Sequence, residues 1–281
     1  MLSLMHDGAP VLLTTSCTHA LELAALLIDI QPGDEVVVPA YTFVSTANAF
    51  LLAGARPVFA DVDLETLNIT VASVQRVLTP QTRAVCVVNY AGVGADLVGL
   101  RELCRARNLK LIEDNAHGLG GTHHSEPLGT FGTFSTLSFH ETKNVTCGEG
   151  GALVINEAHY LERAEILREK GTDRSKFLRG QVDKYTWVDR GSSWVMSDIL
   201  AAILVAQLDA FEEIQERRER VWNSYKSNLA NWARKEDVRL PSPPSGVEHT
   251  SHLFHLIFQS ASVRDRYIAH MKDQGISTVF H

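Results

Sequence analysis

The sequence predicts an α/β protein in which a mostly parallel sheet is covered by helices. The first observation is that short apolar runs alternate with helical patterns along most of the chain. The second is that 281 residues, 45% of them hydrophobic, are enough for one large α/β domain and part of a second. The third is that polar residues collect where the apolar runs end. Right-handed crossovers are expected to connect the strands.

The predicted strands are short apolar runs, and the predicted helices carry an apolar face between them. Strands are expected at residues 35–38, 56–61, 82–89, 109–113, 134–139 and 152–155, after a brief apolar entry at 11–15. Helices are expected at residues 18–30, 44–53, 71–78, 97–107 and 157–170. Thr15 and Ser16 are suited to cap the first of these helices, and residues 31–34 have the composition of a turn.

The C-terminal third of the chain is less regular. A polar and aromatic loop is predicted at 171–193, followed by a long helix at 197–228 with a well-capped start. After a proline-rich bend come a predicted strand at 252–259, a helix at 263–274 and the beginning of a strand at 276–280. We expect residues 1–205 to form a large domain. Residues 206–281 are expected to hold the connecting helix and an incomplete small α/β domain.

Bulk properties exclude several classes of function. The formal net charge of -7 and the absence of a basic stripe argue against nucleic-acid binding. The cysteines Cys17, Cys86, Cys104 and Cys147 are scattered, which fits a reducing compartment and no structural zinc or other metal site. No apolar run is long enough to span a membrane, and the first residues do not resemble a signal peptide. A cytoplasmic protein without membrane insertion is expected.

Lys143 is the candidate catalytic residue because of where it lies along the chain. It follows a short buried strand and precedes a glycine-rich turn that leads into another apolar strand. Ligands of open α/β folds bind at the carboxyl edge of the sheet, and partial burial there would turn a lysine into a nucleophile toward carbonyls. Most lysines are simply solvated, so this stretch alone leaves a loop lysine as the alternative.

Other polar and aromatic residues are expected to meet Lys143 at the same edge. They are Tyr41, Phe43, Asn89, Tyr90, Asp114, His117, Ser138 and His140. The start of the first helix adds free N–H groups and the positive end of a helix dipole, which suit a phosphate. An ordinary capped helix remains the alternative for that feature.

The order of Asp114 and Lys143 is the layout that pyridoxal phosphate needs. The cofactor requires a lysine for its Schiff base and a carboxylate against its pyridine nitrogen. The carboxylate keeps that nitrogen protonated, so that the ring can accept electrons. A hydroxyl- and N–H-lined site for the phosphate and a lid over the ring face complete the requirement.

Five motifs then resemble the DegT/DnrJ-type sugar aminotransferases, which have the aspartate-aminotransferase fold (fold type I) with a seven-stranded sheet. The motifs lie at residues 16–21 (SCTHAL), 39–43 (PAYTF), 113–117 (EDNAH), 138–144 (SFHETKN) and 148–151 (GEGG). Within the family, residues 180–187 (GQVDKYTW) and 191–193 (GSS) are most similar to dTDP-4-amino-4,6-dideoxygalactose transaminases.

The resemblance implies a role for each matching residue. Lys143 would carry pyridoxal phosphate and move a proton between substrate and cofactor. Asp114 would pair with the ring nitrogen, His117 would lie near the ring hydroxyl, and Phe43 would stack on the ring.

The phosphate of the cofactor would be held by three further positions according to the same resemblance. Ser138 and the Cys17–Thr18 turn would bind it from within the chain. Many relatives also supply an asparagine from the partner subunit of a homodimer. Here that position is Ser193, whose hydroxyl has a shorter reach.

The resemblance implies transfer of an amino group from glutamate to the 4-keto carbon of a dTDP-linked 4-keto-6-deoxyhexose. Such enzymes act in surface-polysaccharide synthesis, for example of enterobacterial common antigen. The first alternative is a remnant that binds cofactor or a partner subunit without turnover, because both ends are shorter than in relatives. The second is a sugar dehydratase, in which histidine replaces the Schiff-base lysine; the presence of Lys143 argues against it.

Overall fold

The central element of the fold is a seven-stranded sheet with the strand order β1-β9-β8-β5-β4-β2-β3. The structure is a computed structural model and describes residues 1–280. The strands of the main sheet are β1 (Val11–Thr14), β2 (Glu35–Pro39), β3 (Arg56–Ala60), β4 (Thr82–Val88), β5 (Lys110–Asp114), β8 (Phe134–Ser138) and β9 (Gly151–Ile155). A second sheet of three strands contains β6 (Thr122–His123), β7 (Glu126–Pro127) and β10 (Val247–Glu248).

Strand direction in the main sheet confirms the prediction of a mostly parallel arrangement. The pairs β2–β3, β2–β4, β4–β5 and β5–β8 are parallel. Strand β9 runs the opposite way, because it is antiparallel to both of its neighbours, β1 and β8. The segment that contains Lys143 is therefore the loop of a β8–β9 hairpin, and it leaves β8 at the carboxyl edge of the parallel strands.

Helices cover both faces of this sheet. The α-helices of the described residues are α1 (Cys17–Leu27), α2 (Val44–Leu52), α3 (Val71–Val77), α4 (Leu97–Ala106), α5 (Leu161–Arg168), α6 (Arg174–Leu178), α7 (Asp198–Asp209), α8 (Phe211–Lys235) and α9 (Ala261–Asp273). Alternate side chains of β2 point to opposite faces of the sheet. Val36 and Val38 pack with α1 and α2, and Val37 packs with α3 and α4. This is the two-residue period of a strand buried on both faces.

Local chemistry explains how α1 begins. The Ser16 hydroxyl accepts a hydrogen bond from the His19 backbone N–H at 3.1 Å, so Ser16 is the N-cap, one of the two residues predicted for that position. The first turn of α1 lies directly against β9, since a Cβ placed on Gly151 would come within 2.3 Å of the Cys17 backbone nitrogen. Glycine at that position lets the start of α1 contact the sheet edge.

The long helix predicted at 197–228 is two helices in the structure. The chain bends at Ala210, between α7 and α8, and no glycine or proline marks the break in the sequence. The prediction of a well-capped start was wrong in its detail, because the Ser197 side chain makes no capping hydrogen bond. The predicted loop at 171–193 contains the short helix α6.

The strands predicted at 252–259 and 276–280 do not form. In the first segment only a bridge between Ile257 and Arg239 is present. Its aromatic residue Phe254 packs against Trp222 and Tyr225 of α8, with ring centroids 5.5 and 5.4 Å apart. Packing onto α8 replaces strand pairing for these apolar side chains.

The division of the chain at residues 205 and 206 stays a prediction, and its last residue, His281, lies outside the described part. Within residues 1–280, no helix is both long and apolar enough to cross a membrane.

Candidate active site

Asp114 supplies a buried carboxylate at the carboxyl edge of the sheet. It is the last residue of β5 and is only 5% exposed. Its Oδ2 accepts a hydrogen bond from the Thr46 hydroxyl at 2.7 Å, and its Oδ1 accepts one from the Ala116 backbone N–H at 3.3 Å. Burial raises the pKa of this carboxyl, against the opposing effect of the two hydrogen bonds and the Lys143 charge. No salt bridge to Asp114 occurs among residues 1–280.

Lys143 lies on the β8–β9 hairpin loop, one turn beyond the end of β8. Its backbone N–H donates to the His140 carbonyl at 2.9 Å, and its side chain is half-buried. Burial lowers the pKa of the Lys143 amine, while the negative charge of Asp114 acts in the opposite direction. The fold places three of the predicted site residues near one another, close enough for a charge on one to affect the pKa of another: Lys143, Asp114 and Cys17.

The first turn of α1 supplies the predicted phosphate-binding residues. The Cys17 thiol donates to the Thr136 hydroxyl at 3.5 Å, and burial raises its pKa, so the thiol stays protonated. The Thr18 hydroxyl donates to the Ser45 hydroxyl at 2.8 Å. Both side chains therefore lie at the N-terminal end of a helix, between β8 and the start of α2.

His117 is fixed by backbone and ring contacts. The Ala91 N–H donates to His117 Nδ1 at 3.2 Å, and a backbone N–H can only donate. The neutral ring consequently carries its proton on Nε2. The ring stacks on His252 with centroids 4.2 Å apart and meets the Tyr90 ring edge-on at 5.5 Å.

Three predicted residues have looser surroundings. Phe43 precedes α2 with its side chain 74% exposed. Ser138 is the last residue of β8, half-buried and paired with Gly151. Ser193 is exposed, and its backbone forms a bridge with Glu169. The structure places Phe43 and Ser138 at the carboxyl edge of the sheet.

Several residues of the site were not predicted from the sequence. Thr46 holds the Asp114 carboxylate and Ser45 pairs with Thr18, so α2 contributes to both halves of the site. Thr46 is fully buried in α2, and a hydroxyl on the buried face of that helix is the one pattern that could have identified it. Asn144 and His252, which contact each other at 2.8 Å, became evident only from the folded chain.

The arrangement can perform carbonyl and proton chemistry. An amine whose pKa is lowered by burial is unprotonated more often than an exposed lysine, which makes it a better nucleophile. A buried carboxylate without a salt bridge can hold a proton on the nitrogen of an aromatic ring. The α1 terminus offers N–H groups and hydroxyls to an anion. These groups face one edge of the sheet, where open α/β folds bind ligands.

Comparison with known proteins gives one consistent result. The model of the DegT/DnrJ/EryC1/StrS aminotransferase family matches residues 5–281. The uncharacterised protein MJ1066 of Methanocaldococcus jannaschii is 33% identical over 272 residues, which cover 95% of this chain and 70% of that protein.

Solved structures agree with the family match. The aminotransferase TlmJ from Streptoalloteichus hindustanus superposes with a TM-score of 0.92 at 32% identity, over 100% of this chain and 74% of TlmJ. Spr1654, a candidate sugar aminotransferase from Streptococcus pneumoniae in its PLP-form, gives a TM-score of 0.86 at 27% identity. That match covers 98% of this chain and 74% of Spr1654.

Proposed function

Because this chain belongs to the DegT/DnrJ/EryC1/StrS aminotransferase family, we propose that it is a pyridoxal-phosphate-dependent nucleotide-sugar aminotransferase. The amino donor is glutamate. The acceptor is the 4-keto carbon of a dTDP-linked 4-keto-6-deoxyhexose, as in the synthesis of surface polysaccharides such as enterobacterial common antigen. The observation that carries the proposal is the placement of two side chains at one edge of the sheet: the buried Asp114 carboxylate ends β5, and the half-buried Lys143 lies on the loop that leaves the neighbouring strand β8.

The residues present fit pyridoxal phosphate. A buried carboxylate without a salt bridge is costly, and a protonated ring nitrogen would provide a directly paired positive charge at Asp114. The Cys17–Thr18 turn with Ser138 offers N–H groups and hydroxyls to the phosphate, and the exposed Phe43 ring is available to cover a flat ligand. When bound, the cofactor supplies an aldehyde that reacts with amines and a ring that accepts electrons.

Side chains of this protein would bind and orient the cofactor and move protons. Lys143 holds the cofactor and moves a proton at its Nζ atom, for which a lowered pKa is suitable. Asp114 keeps the proton on the ring nitrogen, and Thr46 orients the carboxylate through its hydrogen bond. His117, whose Nδ1 accepts from Ala91, would lie near a hydroxyl of the cofactor, as the family resemblance implies.

The choice of nucleotide sugar rests on the motifs at 180–187 and 191–193. Arg174, Arg179 and Lys184 of the surrounding segment 171–187 carry positive charge that suits a diphosphate. Arg174 and Arg179 are paired with Glu169 and Glu165 of the same chain, which leaves them less free to bind a diphosphate, and an interface role is the alternative for this segment. A cytoplasmic location agrees with the cytoplasmic supply of nucleotide sugars and stays part of the proposal.

A homodimer is the proposed assembly, with Ser193 of one subunit reaching the phosphate site of the other. The exposure of Ser193 and of apolar side chains on α7, which begins five residues later, is consistent with this arrangement. A serine side chain is shorter than the asparagine found in relatives, so Ser193 would have to lie closer to the phosphate to reach it.

The test is the colour of the purified protein with pyridoxal phosphate. The wild type is expected to turn yellow, and glutamate is expected to bleach it. Lys143→Ala should lose the colour, with Lys170→Ala as a matched control on an exposed lysine. Colour without bleaching would favour a cofactor-binding remnant, and equal colour in Lys143→Ala would refute the assignment of Lys143. A panel of nucleotide keto-sugars then identifies the acceptor.

A further inference from the structure

Asn144, the residue after Lys143, is held by three side-chain hydrogen bonds from distant parts of the chain. Its Nδ2 donates to the Gln215 Oε1 of α8 at 2.9 Å and to the Thr250 carbonyl at 2.8 Å. Its Oδ1 lies 2.8 Å from His252 Nδ1. Gln215 Nε2 also donates to the Thr250 carbonyl at 3.3 Å, which joins the partners to one another.

Residues 250–252, which we call the clamp, also contact His117 on the other side of the site. The Thr250 hydroxyl donates to the His117 carbonyl at 2.7 Å, and the His252 ring stacks on the His117 ring at 4.2 Å with an interplanar angle of 25°. The clamp therefore contacts both the loop that carries Lys143 and the turn that follows Asp114.

The hydrogen bonds determine which atom of His252 donates. Asn144 Nδ2 faces two oxygens that only accept, so the amide orientation is fixed and Oδ1 is the acceptor toward His252. His252 Nδ1 must then carry a proton and donate it. His252 thus makes two separable contacts: it donates a hydrogen bond to Asn144 and stacks its ring on His117. A replacement of His252 can remove either contact and keep the other.

We propose that Asn144 and His252 are positioning residues, which act through the clamp to hold the Lys143 amine in its half-buried place beside Asp114. The inference rests on the proposed role of Lys143. Neither residue is assigned contact with substrate. In this arrangement the hydrogen bond from His252 Nδ1 to Asn144 Oδ1 ties the lysine loop to the C-terminal part of the chain.

Three variants separate the possible contributions. Asn144→Ala removes the centre of the network. His252→Phe keeps a ring that can stack on His117 but cannot donate, whereas His252→Asn keeps an N–H near the position of Nδ1 and removes the ring. His270→Asn on α9 and Asn228→Ala on α8 are matched controls, because both side chains are exposed and far along the chain from Lys143.

The readout is the pH midpoint for modification of Lys143 by trace acetic anhydride in the full-length, cofactor-free protein, measured by peptide mass spectrometry. Asn144→Ala and His252→Phe should raise the midpoint by about 1 pH unit, a tenfold loss of free amine at neutral pH, because a released loop exposes the amine to water. His252→Asn and both controls should match the wild type. Thermal unfolding of each variant checks that the fold is retained.

The outcomes are decisive even if Asn144→Ala fails to fold. An unchanged midpoint in His252→Phe overturns the proposed hydrogen-bond role. A shift in His252→Asn equal to or larger than that in His252→Phe overturns it also, in favour of the stacked ring. Since no cofactor is used, a wild type that never turns yellow would refute the proposed function while leaving this result intact.

Discussion

At the scale of single residues, Asp114 has opposite effects on stability and on binding. Its carboxylate is buried without a salt bridge among the described residues, and burial raises its pKa. The folded state then binds the proton more tightly than the unfolded state does. Stability is therefore lost as pH rises from the unfolded pKa, about 3.9, through the raised pKa of the folded protein.

Asp114→Asn should therefore stabilise the cofactor-free protein at neutral pH. Removal of a buried charge should contribute about 1 kcal/mol, or roughly 2–4 °C in Tm for a protein of this size class. Thermal unfolding from acidic to neutral pH measures this, with Asp183→Asn on an exposed loop as the control. The same variant should bind pyridoxal phosphate more weakly. A lower Tm than the wild type at neutral pH would contradict the argument.

The charge of Asp114 also affects Lys143 directly. Because the carboxylate favours the protonated amine, Asp114→Asn should move the pKa of Lys143 further below its ordinary value. The pH profile of Lys143 acetylation in the cofactor-free protein measures the shift. A midpoint that moves upward would show that the two side chains do not interact as the structure indicates.

At the scale of elements, the contact between the start of α1 and β9 depends on Gly151. A Cβ at this position would lie 2.3 Å from both the Cys17 nitrogen and the Ser16 carbonyl carbon, and both are backbone atoms that cannot rotate away. The helix start would have to move off the sheet edge, and with it the proposed phosphate site.

Gly151→Ala should therefore destabilise the protein by about 1–3 kcal/mol, the usual cost of overpacking. It should also weaken cofactor binding. Gly180→Ala is the control, because its surroundings are open and only its positive φ of 69° disfavours a side chain. Denaturant unfolding should rank Gly151→Ala as the more destabilised variant; equal stability of the two would refute the close contact.

Sequence patterns predicted the main sheet well and the C-terminal region poorly. Strands such as β2 and β4 are continuous apolar runs, because both faces are buried, and such runs are easily recognised. The segment at 252–259 has a similar composition, but Trp222 and Tyr225 of α8 receive its Phe254 side chain. That outcome depends on tertiary packing, which local pattern does not contain.

The same distinction applies to the site. Asp114 and Lys143 were predicted because each follows an apolar strand, and parallel strands end at one edge. Thr46 was missed because it is presented by a helix, and its contact with Asp114 spans 68 positions of sequence. The contacts of Asn144 span up to 108 positions, so only the folded chain reveals them.

At the scale of the whole molecule, α7 leaves one apolar face uncovered. Ile199, Ala202, Ile203 and Ala206 are exposed at the spacing of a single helix face, and Ile199 is 75% exposed. The opposite face of α7, with Leu204 and Leu208, packs against the sheet. A face of this kind is typical of a subunit interface, in agreement with the proposed homodimer.

Ile203→Asp should shift the protein from dimer toward monomer, because a charge on an apolar interface loses hydration without gaining a partner. Analytical ultracentrifugation of the full chain with bound cofactor measures the mass. Val221→Asp on α8 is the control, since it adds the same charge to another exposed apolar position. An unchanged dimer mass in Ile203→Asp, or a monomeric wild type, would exclude this face as the interface.

The reversed direction of β9 has a consequence for how this molecule can change over generations. The two neighbouring strands β8 and β9 and everything between them are encoded by one short, continuous stretch, residues 134–155. Substitutions there can replace the amine at the tip of the hairpin, while the carboxylate, encoded elsewhere, is left as it is. Under the proposed function, a change in this single small part of the gene would alter the reaction while the Asp114 side of the proposed cofactor site is inherited.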